Sequence, residues 1–66
     1  MNITLNGEAF ECRNDATIQS LVEQQKLVGK RIAIEVNLEV IPRSQYGNCL
    51  LQEGDKVEIV HAIGGG

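Results

Sequence analysis

Tryptophan is missing from this 66-residue chain, and Phe10 and Tyr46 are its only aromatic side chains. The core must therefore be aliphatic, built from Ile, Leu and Val. No apolar run approaches the ~20 residues that a membrane-spanning helix needs. No charged-then-apolar leader opens the chain, so the expected compartment is cytoplasmic. Cysteine occurs twice, at Cys12 and Cys49, far apart in sequence. Secreted domains of this size are usually stapled by several bridges, whereas a reducing cytosol keeps such residues as thiols. Basic residues are also scarce: six Lys and Arg stand against nine Asp and Glu, for a net charge of -3. That balance excludes the clustered cationic surface that displaces counterions from nucleic acid. It suits a basic partner surface, since Glu53, Asp55 and Glu58 outnumber Lys56 near the end of the chain. Finally, a chain this short is one domain that buries only about 60% of its unfolded surface. A deep substrate pocket would consume much of such a core. The expectation is a chain that acts through partners, not a self-sufficient enzyme.

What the chain does have is an unusual ending. Gly64-Gly65-Gly66 follows directly on the apolar run Val57-Glu58-Ile59-Val60-His61-Ala62-Ile63. Without Cβ atoms, a glycine tail adds nothing to a core and loses much entropy if ordered. It offers a bare peptide ending in a free carboxylate. From Ala62 to Gly66 it reaches roughly 15–18 Å when extended, enough to thread a narrow channel in another protein. A frayed terminus or a cloning remnant has the same composition, so the rest of the chain must decide.

Asn2 to Leu5 alternates, with Ile3 and Leu5 on one face, and Asn6-Gly7 is the strongest short hairpin signal. Glu8 to Arg13 alternates again, with Phe10 and Cys12 sharing a face. Asp15 or Thr17 is placed to cap a helix carrying Ile18, Leu21, Val22 and Gln25 at helical spacing. Gly29 is the expected stop soon after Leu27, with Lys26 and Lys30 at the negative end of the helix. Arg31 to Asn37 reads as a central strand with Ile32, Ile34 and Val36 on its apolar face. Asn37-Leu38-Glu39 reads as a turn, and Val40-Ile41 as a short return strand ended by Pro42. Ser44 to Tyr46 is expected to make one helical turn before Gly47, and Cys49, Leu50 and Leu51 to cover the core. Glu53-Gly54-Asp55 reads as a turn, and Lys56 to His61 as the last strand. A sheet with one helix across one face is the simplest way to bury these faces, so the fold class is α+β.

The Asn6-Gly7 hairpin, the segment Val36-Asn37-Leu38-Glu39-Val40-Ile41-Pro42-Arg43 and the stretch from Glu53 to Gly66 together resemble the ubiquitin-like β-grasp family. Within it they are most similar to the sulfur carriers of thiamine biosynthesis. The resemblance covers the whole chain in register. It implies a mixed sheet of four to five strands, with the first and last strands adjacent and parallel, and one main helix packed across it. The domain would span residues 1–63 and a flexible glycine tail residues 64–66. It also implies that Gly66 is the modified residue and that Gly64 and Gly65 thread into the partner. A ubiquitin-activating-type adenylyltransferase (ThiF-type) would use ATP and magnesium to adenylate the Gly66 carboxylate. A sulfur donor fed by cysteine desulfurase would convert it to a thiocarboxylate, and thiazole synthase (ThiG-type) would accept the sulfur. The chain itself would bind no cofactor and no metal.

That chemistry suits the residues. A terminal carboxylate is a poor electrophile because its charge repels nucleophiles. Adenylation neutralises the charge and installs a leaving group, and no catalytic side chain of the carrier is required. The acid–base groups, oxyanion donors and metal would belong to the partner. Docking is expected on the last strand. Val57 and Ile59 point inward, while Glu58, Val60 and Ala62 fall on the other side. Val60 is then an exposed apolar residue close to the tail, and scattered surface hydrophobicity is its alternative explanation. Ile63, the last large side chain, either plugs a channel mouth or simply finishes the strand.

Other residues carry less. His61, Cys12 and Cys49 lack the spacing of a metal site. His61 reads as a surface residue, Cys12 as core and Cys49 as a small apolar filler. Pro42-Arg43 reads equally as a partner contact or as a strand end with a solvated cation. Two functional alternatives stay open: the small sulfur-carrier subunit of molybdopterin synthase, and a β-grasp interaction module whose tail is never modified.

Overall fold

Both hairpins turn on consecutive residues of positive φ, the signature of the type I′ turn whose twist matches that of paired strands. In the first, Asn6 and Gly7 (φ 51° and 82°) join β1 (Asn2–Leu5) to β2 (Glu8–Glu11). The register runs from Asn2 opposite Glu11 to Leu5 opposite Glu8. Strand β2 stops two residues short of the expected Arg13, although the Cys12 amide still donates to the Met1 carbonyl at 2.9 Å. In the second hairpin, Asn37 and Leu38 (φ 52° and 73°) join β3 (Ile32–Val36) to β4 (Glu39–Ile41). These observations come from a computed structural model that describes residues 1–61; residues 62–66 lie outside it.

Helix α1 (Ile18–Gln24) starts on Thr17 and not on Asp15. The Thr17 hydroxyl accepts from the Ser20 amide at 3.1 Å while the Ser20 hydroxyl accepts from the Thr17 amide at 2.9 Å, a reciprocal capping box. Asp15 instead pairs with Arg13 at 3.2 Å on the surface. The helix ends earlier than the glycine signal suggests. Gln25 is the C-cap and is exposed; the Lys26 amide then donates to the Glu23 carbonyl at 3.0 Å and the Leu27 amide to the Val22 carbonyl at 2.9 Å. This is a Schellman ending with Lys26, at φ 60°, in the position that glycine usually fills. Gly29 lies beyond the stop, within the loop to β3.

A 3-10 helix, Arg43–Asn48, follows β4 and runs straight through Gly47, longer than the single turn expected from Ser44 to Tyr46. Its Tyr46 is the one residue of that segment buried against the core. Strand β5 (Lys56–His61) completes the sheet, whose order is β2-β1-β5-β3-β4. β5 pairs parallel with β1 and antiparallel with β3, so the sheet is mixed and the first and last strands are neighbours, as the resemblance implies.

The core lies between one sheet face and α1. Ile18, Leu21, Ile34 and Val57 are sealed there almost completely, with Ile3, Val22, Tyr46, Leu51 and Ile59 around them. Cys12 and Cys49 are half-buried free thiols packed against this cluster. Leu50 contradicts its expected role as core cover: it is 62% exposed, because its backbone bridges Thr17 and alternation then turns Leu51 inward and Leu50 out.

Candidate docking face on the C-terminal strand

β5 occupies the middle of the sheet, and its position is fixed on both sides. On the β1 side, Thr4 is opposite Lys56 and Leu5 opposite Val57. Asn6 then extends this edge with its side chain: its amide donates to the Val57 carbonyl at 2.9 Å, and its Oδ1 accepts from the Ile59 amide at 2.8 Å. The hairpin asparagine therefore closes a turn and substitutes for a ladder partner at once. On the other side, five consecutive pairs bind β5 to β3, from Val36 opposite Val57 to Ile32 opposite His61. Asn37 finishes that edge, its amide donating to the Lys56 carbonyl at 2.8 Å and its Oδ1 accepting from the Lys56 amide at 3.0 Å. β5 is thus held on both edges, on the β1 side as far as Ile59 and on the β3 side as far as His61.

Alternation sorts the side chains of β5 as expected. Val57 and Ile59 are buried, whereas Glu58 and Val60 are exposed on the opposite face, Val60 by 54%. The register shows what else shares that face. Ala33 sits directly opposite Val60, Glu35 opposite Glu58, and Val40 of β4 opposite Glu35. Val40 is itself 67% exposed. The open face thus carries an apolar row beside two acidic side chains in cross-strand register. Like charges directly opposite are unfavourable in a sheet, and among the described residues neither glutamate is in an ion pair.

Sequence reasoning found Glu58 and Val60 but missed Ala33, Glu35 and Val40. The signal for Ala33 and Glu35 was present, as they alternate with the inward Ile32, Ile34 and Val36, but which strand they face was not readable from alternation. The expected docking residues Ala62 and Ile63, and the tail residues Gly64, Gly65 and Gly66, lie outside the described residues. His61 is exposed, in keeping with a surface residue. Arg43 is exposed too, and its guanidinium donates to the Lys30 carbonyl at 3.1 Å, so it clamps the loop after α1. Among the described residues no group of three or more His, Cys, Asp or Glu side chains is placed to hold a metal ion. No helix among them is long and apolar enough to cross a membrane. Burial, and after it the nearby Asp55, raises the Cys49 thiol above its ordinary pKa, which disfavours the nucleophilic thiolate.

The profile of the ThiS family matches residues 3–66. The chain belongs to the ThiS family. The match runs through the terminal glycines, so the ThiS-family sequence pattern spans both the sheet described above and the tail. The sulfur carrier protein ThiS of Bacillus subtilis (strain 168) is 37% identical over 65 residues, covering 97% of this chain and 98% of that protein. The crystal structure of the thiamine biosynthesis protein (ThiS) from Geobacter metallireducens superposes with a TM-score of 0.86 at 28% identity, each chain covered completely. The fold is therefore the ubiquitin-like β-grasp of that ThiS structure. A thiazole synthase of Paramagnetospirillum magneticum (strain ATCC 700264 / AMB-1) is 36% identical over 66 residues. That match takes in all of this chain but 20% of the synthase, so the chain spans one fifth of the length of that relative.

Proposed function

We propose that this chain is a sulfur carrier for assembly of the thiazole moiety of thiamine, and not itself an enzyme. The observation that carries the reading is the ThiS-family match extending through residue 66, on a scaffold that delivers the chain to His61 from a strand paired on both sides. Full-length relatives named as sulfur carriers support it, as does the occurrence of the same sequence pattern within a protein named thiazole synthase. A carrier and its acceptor joined in one chain gain effective concentration.

In this reading an activating enzyme of the ubiquitin-activating type binds the open face around Glu58 and Val60, continuing onto Ala62 and Ile63, and takes Gly64 and Gly65 into a narrow passage. With ATP and magnesium held by that enzyme, the Gly66 carboxylate attacks the α-phosphate and releases pyrophosphate. A persulfide fed by cysteine desulfurase then attacks the acyl carbon and AMP departs; a thiol reduces the acyl disulfide so formed, leaving the thiocarboxylate. Sulfur replaces one carboxylate oxygen, and thiazole synthase accepts it. Each step occurs at the chain terminus, so the carrier's own contribution is docking and presentation. A reducing cytoplasm suits both the free thiols and the thiocarboxylate.

Intact-mass measurement tests the reading. Incubation with ATP, magnesium, a sulfur donor and an activating enzyme of this class should replace one oxygen by one sulfur at Gly66, and the product should support thiazole formation. An unchanged mass in the presence of an enzyme that modifies a known ThiS protein would refute it.

A further inference from the structure

A groove of about 240 Å³ runs between the end of α1, the loop to β3 and the 3-10 helix. It lies on the helix side of the sheet, because Ile32 lines it and alternates in β3 with Ala33, which faces Val60 on the open side. Leu27, Val28 and Ile32 give it an apolar wall, and Lys30 and Arg43 give it charge. The loop is held in one shape: the Lys30 amide donates to the Leu27 carbonyl at 3.0 Å across a tight turn, with Gly29 at φ 80°. Val28 stands in that turn with 62% of its surface exposed. The Arg43 guanidinium is anchored on the Lys30 carbonyl at 3.1 Å, which uses one of its donors and leaves the others for a ligand. Neither Lys30 nor Arg43 is in an ion pair with a described residue. No acidic side chain lines the groove; Gln19 does, and its amide donates to Glu23 at 3.1 Å, placing one carboxylate at the rim. From Gln24 to Ile34 the chain carries Lys26, Lys30 and Arg31 and no acid, although its net charge is -3. The groove is therefore a positive site on an acidic molecule. Tyr46 also lines it and is only 4% exposed, yet among the described residues its hydroxyl has no hydrogen-bond partner and is not sealed from solvent. A phenol so buried ordinarily has a partner.

Size and charge decide what fits. Pockets for cofactors and other small molecules run to about 300–1,000 Å³. This groove is smaller and suits one or two side chains of another protein. A nucleic acid would bring phosphates but nothing for the apolar wall, and the net charge of -3 repels a long polyanion. We propose that the groove docks an acidic, aliphatic peptide segment of a partner protein. A carboxylate of that segment sits between Lys30 and Arg43, and a neighbouring leucine or isoleucine packs on Leu27, Val28 and Ile32. Charge-assisted hydrogen bonds from the two cations, and one from the Tyr46 hydroxyl, hold the carboxylate. The segment thereby supplies both the cover that Val28 lacks and the partner that the buried phenol lacks. Because the groove and the open face lie on opposite sides of the sheet, both can be occupied at once. The consequence rests on the carrier function proposed above: a second protein can hold the carrier while its open face engages the activating enzyme.

Titration of the full chain, followed by its amide spectrum, tests the proposal. The probes are the peptide acetyl-Ala-Leu-Glu-Leu-Asp-Ala-amide, the same peptide with Gln and Asn in place of its acids, and inorganic phosphate. The acidic peptide should shift the amides of Val28, Lys30, Ile32 and Tyr46 to saturation and leave those of Glu58 and Val60 in place. Lys30→Glu, which keeps the Arg43 bond to the residue 30 carbonyl, should raise its Kd about tenfold, since an attraction is lost and a repulsion gained. Tyr46→Phe should raise it about threefold by removing one hydrogen bond while keeping the ring in the core. Val28→Ser, an exposed position, should weaken binding without moving the sheet amides. No groove shifts at millimolar peptide would overturn the proposal, as would shifts confined to the open face. Equal affinity for the uncharged peptide would remove the cations from the site, and equal affinity for phosphate would remove the apolar wall; either result overturns it. Sulfur loading, scored by mass, should run at the same rate with the groove saturated by peptide, and inhibition would overturn the separate use of the two faces. The titration itself involves no activating enzyme, so failure of the carrier reading leaves the groove to be decided independently.

Discussion

Replacing Glu58 by glutamine should stabilise the fold and at the same time weaken engagement with the activating enzyme. Glu58 faces Glu35 across the β3–β5 ladder on the open side of the sheet, with Val60 opposite Ala33 in the next row. Cross-strand pairs contribute roughly 0.2–1 kcal/mol, and like charges directly opposite carry that with the unfavourable sign. Glu58 is exposed, so solvent screening favours the lower half of that range, about 0.2–0.5 kcal/mol. For a domain of this size 1 kcal/mol moves Tm by about 4–8 °C, so the expected gain is about 1–4 °C. Glutamine keeps the length and hydrogen-bonding capacity of the side chain, so packing is untouched. The gain should vanish in high salt, where the repulsion is screened. Activation should move the opposite way. If the acidic pair steers a basic partner surface, its loss lowers the association rate and flattens the salt dependence of KM for the carrier, with little effect on kcat. Thermal unfolding by circular dichroism and carrier-dependent pyrophosphate release at two salt concentrations supply both readouts. A lower Tm would refute the argument from register. An unchanged KM with an unchanged salt slope would remove Glu58 from the docking face.

Gly65→Val should abolish sulfur loading, read by intact mass, while leaving the circular dichroism spectrum and Tm unchanged; normal loading would exclude a narrow passage for the tail. Leu38→Gly should stabilise by up to about 1 kcal/mol in urea unfolding, because Leu38 sits at φ 73° with 86% of its surface exposed and the resulting Asn-Gly pair fits the type I′ turn. Ile34→Ala should cost about 2–5 kcal/mol, since the side chain is fully buried between sheet and helix. Against a total of roughly 3–10 kcal/mol for a chain this short, that leaves a measurable unfolded fraction. The Cys49 thiol, raised first by burial and then by Asp55, holds its proton longer in the folded state than in the unfolded one. Stability from this group is therefore complete below the unfolded thiol value and is lost as pH rises through the folded one, from about pH 9 upward. That alkaline decline should be absent in Cys49→Ala, measured as ΔG of unfolding against pH.

Local patterns in the chain were enough to identify most elements. Asn6-Gly7 announced a turn because few residue pairs tolerate positive φ twice in succession, and the turn formed there. Ile32, Ile34 and Val36 announced a strand because a sheet face repeats every second residue, and Asp15 and Thr17 announced the helix start, where the structure chose the Thr17 hydroxyl. The inward and outward sides of β5 followed from the same rule. The misreadings share one cause, competition between local signals and the packing around them. Lys26 took the left-handed position at the helix end although Gly29 was nearby, because the chain had to turn where Val22 and Leu27 close the core's edge. Leu50 pointed outward although it is apolar, because the bridge to Thr17 set the phase for Leu51.

What alternation alone leaves open is which strands are neighbours, since any strand with one apolar face can pair with any other. Here the family likeness supplied β1 beside β5, and the structure supplied the rest: β5 at the centre, β3 against it in antiparallel register, and hence Glu35 against Glu58 and Ala33 against Val60. Composition and periodicity made the small aliphatic α+β scaffold and the bare glycine end readable, because both are properties of residues close together in the chain. The open sheet face and the groove beside Ile32 are made of residues brought together from distant segments, so they exist only once the sheet has closed.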